Sequence, residues 1–290
     1  MSKIKRLVSV MGNQQKLDGG AMFGNVPKAM WEQWIETDEK NRIPLACRAL
    51  LVETDTQKIL FETGIGSFFE PKFKTRYGVV EDNHVLIENL KQQCDLQPED
   101  IDAIVLSHMH FDHAGGLLSA YQENVAPELV FKNAKVIVGK EAWERALQPH
   151  FRDKASFLPQ LNQLLQDSGC LEIVGGEHST LLGDWVTFHR SHGHTPGMLV
   201  SEIKTPQGKF IYAADLIPGV PWVHLPVTMG YDRFPEKLIE EKQWLLDKVV
   251  DENSRLFFTH DSEVCSARIV KNEKKRYVIS ERQNSIDITF

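Results

Sequence analysis

The segment Ser107-His108-Met109-His110-Phe111-Asp112-His113-Ala114-Gly115-Gly116 places three imidazoles and a carboxylate within six consecutive positions. Alternate residues of an extended backbone point the same way, so His108 and His110 can converge on one ion. The turn that follows carries Asp112 and His113 toward a second position. Neutral imidazole and carboxylate together suit zinc, iron, manganese or cobalt. The two closing glycines let the backbone pack tightly beside such a site. Three further candidates stand at the ends of apolar runs: His194 in His192-Gly193-His194-Thr195-Pro196-Gly197, Asp215 in Tyr212-Ala213-Ala214-Asp215, and His260 in Phe257-Phe258-Thr259-His260-Asp261. Alone, each is either a ligand or a structural residue; as a set at strand ends they point to an assembled site. His192 is the weaker ligand of its pair.

Short apolar, β-branched runs must position these groups. They recur at Ala49–Val52, Lys58–Phe61, Ala103–Leu106, Val136–Val138, Val186–Phe188, Phe210–Ala213 and Leu256–Phe258, and read as buried strands. Between them, His84–Cys94 and Glu236–Val250 carry apolar residues at helical spacing, with Pro235 as a helix start. Gln97-Pro98-Glu99-Asp100 reads as a turn. The basic stretch Lys271–Arg276 reads as a solvated face without a role. No repeat or low-complexity linker divides the chain, so residues 1–290 are expected to form a single domain.

Composition narrows the partners. With 42% hydrophobic and 25% charged residues the chain belongs to the globular class. A formal charge of −7 disfavours nucleic acid, since a phosphate backbone would be repelled on average. No stretch reaches the apolar length of a membrane span or a signal peptide, so no membrane is expected and the cytoplasm is the default address. Cys47, Cys94, Cys170 and Cys265 lack any Cys-x-x-Cys spacing and are expected to stay free thiols.

The ordered set His-x-His-x-Asp-His, Gly-His-Thr-Pro-Gly, a strand-end Asp and a strand-end His resembles the metallo-β-lactamase superfamily. The likeness runs from Leu45 to His260 and includes Ile59-Leu60-Phe61-Glu62-Thr63-Gly64. It implies a four-layer αββα sandwich of two mixed β-sheets flanked by helices, with the site at one edge of the sheets. Carried over by motif, His108, His110 and His194 would bind one divalent ion, and Asp112, His113 and His260 a second. Asp215 would bridge them. The metals implied are two zinc ions, with iron, manganese or cobalt accepted by the same donors. Every ligand position is filled, which weighs against a non-catalytic, metal-containing ligand-binding protein, the reading from a different class.

Two ions about 3.5–4 Å apart can share a water whose pKa falls toward ~7, so hydroxide generated at the pair is the expected nucleophile. Asp112 is expected also to move a proton to the leaving group. No Gly-x-Ser-x-Gly elbow suggests a covalent route. Asp102, Asp261 and Glu62 are candidates to accept the outward imidazole N–H groups, or to pair elsewhere.

Within the superfamily, Leu17–Lys28 and Met229-Gly230-Tyr231-Asp232 are similar to the branch of quorum-quenching lactonases and methyl-parathion-type hydrolases. A carboxylic ester, most of all a lactone such as an N-acyl homoserine lactone, is the leading substrate; a phosphotriester or aryl ester is the alternative on the same site. Phe23, Trp31 and Trp34 are candidates for an apolar wall, or for core or dimer contacts. A homodimer is suggested by relatives and would suit the tryptophans. Two departures stand out. Pro218 occupies the place, three after the bridging aspartate, where known lactonases have a tyrosine that helps the oxyanion; Tyr231 and His224 are the candidate substitutes. Glu62 stands where the family usually has aspartate. A thioesterase with a helical carboxy-terminal extension is disfavoured, because only about 30 residues follow His260.

Overall fold

Alternation of buried side chains along the strands decides the architecture of the computed structural model, which describes residues 3–290. In Ala103–Leu106, Ala103 and Val105 join one core while Ile104 and Leu106 join another; Leu50 and Val52 part in the same way from Ala49 and Leu51. A sheet apolar on both faces must be covered on both. The first core lies between two sheets and continues through the second to the helix that covers its far face. The second lies under helices Val85–Cys94, Lys140–Leu147 and Pro159–Ser168, through residues such as Leu86, Leu90, Ala142, Leu161 and Leu165.

The first sheet has seven strands, in the order Asp287–Thr289, Ile4–Met11, Arg48–Thr54, Lys58–Phe61, Ala103–Leu106, Lys135–Gly139 and Leu171–Val174. Its first four strands pair antiparallel and its last four parallel. The second has six, in the order Tyr277–Gln283, Ser266–Lys271, Arg255–Phe257, Gly208–Tyr212, Met198–Thr205 and Val186–Ser191, and only Gly208–Tyr212 with Arg255–Phe257 is parallel. Helix Pro235–Asp251 packs Leu238, Leu245, Leu246 and Val249 into the first core beside this sheet. Two mixed sheets flanked by helices therefore appear as expected. A small hairpin of Gln15–Asp18 and Arg42–Leu45 stands apart from both sheets, near the site.

Lys58–Phe61 and Ala103–Leu106 form strands over the ranges read from the sequence, and the helical spacings at 84–94 and 236–250 correspond to Val85–Cys94 and Pro235–Asp251. Lys271–Arg276 is a hairpin turn, closed by the Asn272 amide bonded to the Arg276 carbonyl. All four cysteines are free. No helix among the described residues is long and apolar enough to cross a membrane.

Candidate metal centre

The carboxyl ends of four strands meet at one edge of the sandwich. Ala103–Leu106 leads into His108, His110 and the short helix Phe111–Ala114 that carries Asp112 and His113; Val186–Ser191 leads to His194, Gly208–Tyr212 to Asp215, and Arg255–Phe257 to His260. Local backbone is forced to serve this edge. Ala214, just before Asp215, holds φ +46°, a left-handed conformation that an alanine adopts only under tertiary constraint. A Cβ on Gly116 would lie 2.1 Å from the Thr63 carbonyl oxygen, so only glycine lets the ligand turn close against the strand loop. The Glu241 carboxylate accepts from the Ser191 hydroxyl and from the His192 and Gly193 amides, fixing the loop that presents His194.

Three groups of side chains bring their ligand atoms within 4.8 Å of one another: His108 with His110 and His194, His108 with His113 and Asp215, and Asp112 with His113 and His260. The inner atoms are close. His194 Nε2 lies 3.2 Å from His110 Nδ1, and His260 Nε2 lies 3.2 Å from His113 Nε2. Asp215 turns Oδ2 to His194 Nε2 at 3.2 Å, and Oδ1 to His113 Nε2 at 3.3 Å and His260 Nε2 at 3.2 Å. Asp112 is looser, 3.9 Å from His113 Nε2 and 3.7 Å from His260 Nε2.

Proton placement shows what these distances mean. His194 Nδ1 faces Asp232 Oδ1 at 2.9 Å, and His260 Nδ1 faces the Ala46 carbonyl at 2.6 Å. Both partners are acceptors, so each ring keeps its proton on Nδ1 and directs a lone pair inward from Nε2. Lone pairs converging at about hydrogen-bond distance repel unless a cation, a proton or a metal ion, lies between them. His108 Nε2 and Asp215 Oδ1 are buried without any hydrogen-bond partner, which fits the same demand.

Electrostatics agrees. Burial, reinforced by the neighbouring imidazoles, holds His108 and His110 well below the usual histidine pKa and therefore neutral. Burial opposes charge on His113, His194 and His260 too, but Asp215 overrides it and raises all three. Asp215 itself, despite burial, is held well below the carboxylate range by His113, His260 and His194. A buried carboxylate that draws charge onto its neighbours is a site built around positive charge. The donor set fits divalent metal ions.

Of the expected acceptors for outward nitrogens, Glu62 faces His113 Nδ1 at 3.5 Å through Oε2 and accepts from the Ser107 amide at 2.7 Å through Oε1. Asp102 and Asp261 do not take that role: Asp102 accepts from the Lys58 amide, and Asp261 from the amides of Val220, Glu263 and Val264. Two supports of the ligands have no role assigned by the sequence: Asp232, which holds His194 and closes the stretch Met229-Gly230-Tyr231-Asp232, and Gln15, whose Nε2 donates to Asp112 Oδ2 at 2.8 Å. No spacing marks either; only the folded loops bring them to the site. His192 turns away, its Nδ1 accepting from the Gly197 amide.

Above the ligands opens a cavity of about 400 Å³. Its floor is His110, Asp112, His194, Asp215 and His260, and its wall includes Leu17, Met22, Leu45, Tyr77, Phe111 and Met229. Tyr231 lines it, with a hydroxyl whose pKa burial raises, helped by Asp112. His224 does not line it. The sequence offered His224 as a catalytic group, but it follows the tight turn Val220–Val223, its carbonyl is bonded by the buried Lys242 ammonium, and its ring meets the edge of Trp34. Phe23 and Trp31 likewise belong to the core: Phe23 stacks between Trp31 and Trp222, with centroids 5.2 and 4.8 Å away.

Comparison with known proteins gives a consistent picture. The family model of the metallo-beta-lactamase superfamily matches residues 42–260. An N-acyl homoserine lactonase of Bacillus thuringiensis is 27% identical over 241 residues, which cover 76% of this chain and 82% of that protein. The crystal structure of a probable metal-dependent hydrolase from Staphylococcus aureus superposes with a TM-score of 0.84 at 25% identity, covering 97% of this chain and 99% of the other. AidC, a dizinc quorum-quenching lactonase solved in complex with a product, superposes with a TM-score of 0.73 at 21% identity, covering 97% and 98%.

Proposed function

The chain belongs to the metallo-beta-lactamase superfamily and is a metal-dependent hydrolase; from that premise we propose that it acts as one hydrolase domain opening a carboxylic ester bond, a lactone before an open ester. The observation that carries this reading is a single cavity with a ligand-bearing polar floor and an apolar wall. Such a cavity suits a small acyl compound with a reactive carbonyl at one end. The Bacillus relative named as an N-acyl homoserine lactonase supports the same class, and N-acyl homoserine lactones are the first compounds to try.

His108, His110 and His194 would hold one ion and Asp112, His113 and His260 the other, with one oxygen of Asp215 toward each; zinc is the first choice, given the dizinc relative. When bound, such ions supply Lewis acidity that activates water at neutral pH and polarises the substrate carbonyl. The chain's own residues do the rest. Leu17, Met22, Leu45, Tyr77, Phe111 and Met229 hold the acyl part and exclude bulk water. Tyr231, protonated at neutral pH, donates its O–H toward the oxygen on which charge develops. Asp112, oriented by Gln15, carries a proton to the departing alkoxide oxygen.

The test is proton release from a panel of acyl lactones by zinc-loaded protein, with a chromogenic aryl ester and phosphotriester in parallel. Ring opening with metal-dependent turnover is expected. Silence on every lactone sinks the proposal, and faster release from the phosphotriester transfers it to that class.

A further inference from the structure

Arg152 is the one lysine or arginine among the residues lining the cavity. The single hydrogen bond of its side chain among the described residues runs from Nη2 to the Gly230 carbonyl at 2.9 Å, directly before Tyr231. No carboxylate among the described residues pairs with it, as none does with Arg48, Arg76, Arg190, Arg276 or Arg282, whereas Arg6, Arg42, Arg145, Arg255 and Arg268 find carboxylate partners; Arg152 is the unpaired one that lines the cavity. The carboxylates lining the cavity face other groups, apart from Asp153 Oδ1, which is buried without a hydrogen-bond partner. Asp112 and Asp215 face the ligand histidines, and Asp153, itself buried, gives Oδ2 to the Arg145 guanidinium at 2.7 Å and to Arg233 Nε at 3.5 Å.

Arg145 and Arg233 share the Asp153 carboxylate behind the wall, so three guanidiniums lie around one carboxylate there, and of the three Arg152 lines the cavity. Arg233 registers the crowding: burial and the charges of Arg145 and Arg152 press its pKa down against the pull of Asp153, and its Nη1 is buried without a partner. A surplus of positive charge beside a low-dielectric wall attracts an anion more strongly than the same charge on open surface. The planar fork of Arg152, with one arm tied to Gly230 and the others uncommitted, suits a carboxylate.

We infer that the ester or lactone hydrolysed here carries a second, anionic group, a carboxylate in its acyl part, and that Arg152 binds it. This rests on the hydrolase reading above and sharpens its substrate class: an acidic acyl compound rather than a purely apolar one.

The experiment compares two length-matched compounds, N-succinyl-homoserine lactone, with its free terminal carboxylate, and the corresponding neutral succinamoyl amide. For the zinc-loaded wild type, kcat/KM should favour the acid by roughly five- to tenfold at low salt, through KM, as befits a half-exposed arginine–carboxylate pair. The preference should shrink at about 0.5 M salt. Arg152→Gln should bring the ratio near one, Arg152→Glu should invert it, and Arg152→Lys should keep part of it. Metal content and thermal midpoint check that each variant folds. A wild-type ratio at or below one overturns the inference, as does an unchanged ratio in Arg152→Gln. If neither compound is turned over, the hydrolase reading fails, and the ratio of their dissociation constants by calorimetry decides the role of Arg152 on its own.

Discussion

The ligand side chains leave from the ends of buried strands, whereas the wall above them is assembled from loops far apart in the chain. Each residue of the floor follows a strand or sits in the short helix after one, so the two sheets set where it starts from. The wall draws on the hairpin of Gln15–Asp18 and Arg42–Leu45, on helix Pro71–Tyr77, on residues 152–156 and on Met229–Tyr231. Those loops are held to one another. Gly230 donates to the Ala21 carbonyl at 2.8 Å, Trp222 Nε1 donates to the Met22 carbonyl at 3.0 Å, and the Lys242 ammonium donates to the carbonyls of Trp222, His224 and Val227. Chemistry is therefore set by the sheets and substrate choice by contacts between loops. The two can change separately.

If that division is right, the largest effects belong to the floor. Asp215→Ala removes the carboxylate facing both ligand groups and should lower kcat/KM by about a thousandfold or more, with loss of metal on dialysis measured by elemental analysis. Retention of both ions and of activity within about tenfold would break the comparison at its root. Asp232→Asn keeps the side chain's shape but weakens the acceptor that fixes His194. Its expected effect is an intermediate one, roughly 10–100-fold in metal affinity by chelator competition, with activity recovered at excess metal.

Tyr231→Phe belongs to the wall and should cost less, roughly tenfold in kcat with little change in metal content. A loss as deep as that of Asp215→Ala would place Tyr231 with the floor. An unchanged kcat on every substrate would leave the developing charge to other groups and remove Tyr231 from the reaction.

The same division explains what could be read in advance. Ligands at strand ends come with short-range marks, apolar runs ending in His or Asp, and all seven candidates are gathered by the fold. Asp232, Gln15 and Arg152 carry no such marks, because their roles arise from contacts with residues 38, 97 and 78 positions away. His224 shows the converse: it shares the Pro218–Tyr231 segment with Tyr231, but only Tyr231 lines the cavity, while the His224 carbonyl accepts from Lys242 and its ring meets the edge of Trp34. Strands were missed for a related reason. Met198–Thr205 is buried through six of its eight residues yet contains Ser201 and Glu202, which interrupt the apolar run.

Glu202 offers the smallest effect and a control on the whole comparison, since its strand starts four residues after His194 while its carboxylate lies outside the cavity. Lys209 Nζ approaches at 2.8 Å, Lys248 Nζ at 2.9 Å and His189 Nε2 at 3.1 Å. Burial alone would raise the carboxyl, but these three partners outweigh it and lower the pKa from 4.5 to about 2. A carboxyl depressed by folding stabilises the fold above its unfolded pKa and loses that contribution as pH falls toward the folded value. Glu202→Gln should therefore cost about 1–2 kcal/mol at neutral pH, a figure discounted for solvent screening. The gap from wild type should close between pH 4.5 and about 2, followed by thermal or denaturant unfolding. Metal affinity and kcat on lactones should not move. If they fall with stability, the strand transmits strain from the outer ion cluster to His194, and the floor is less independent of its surroundings than its strand-end construction implies.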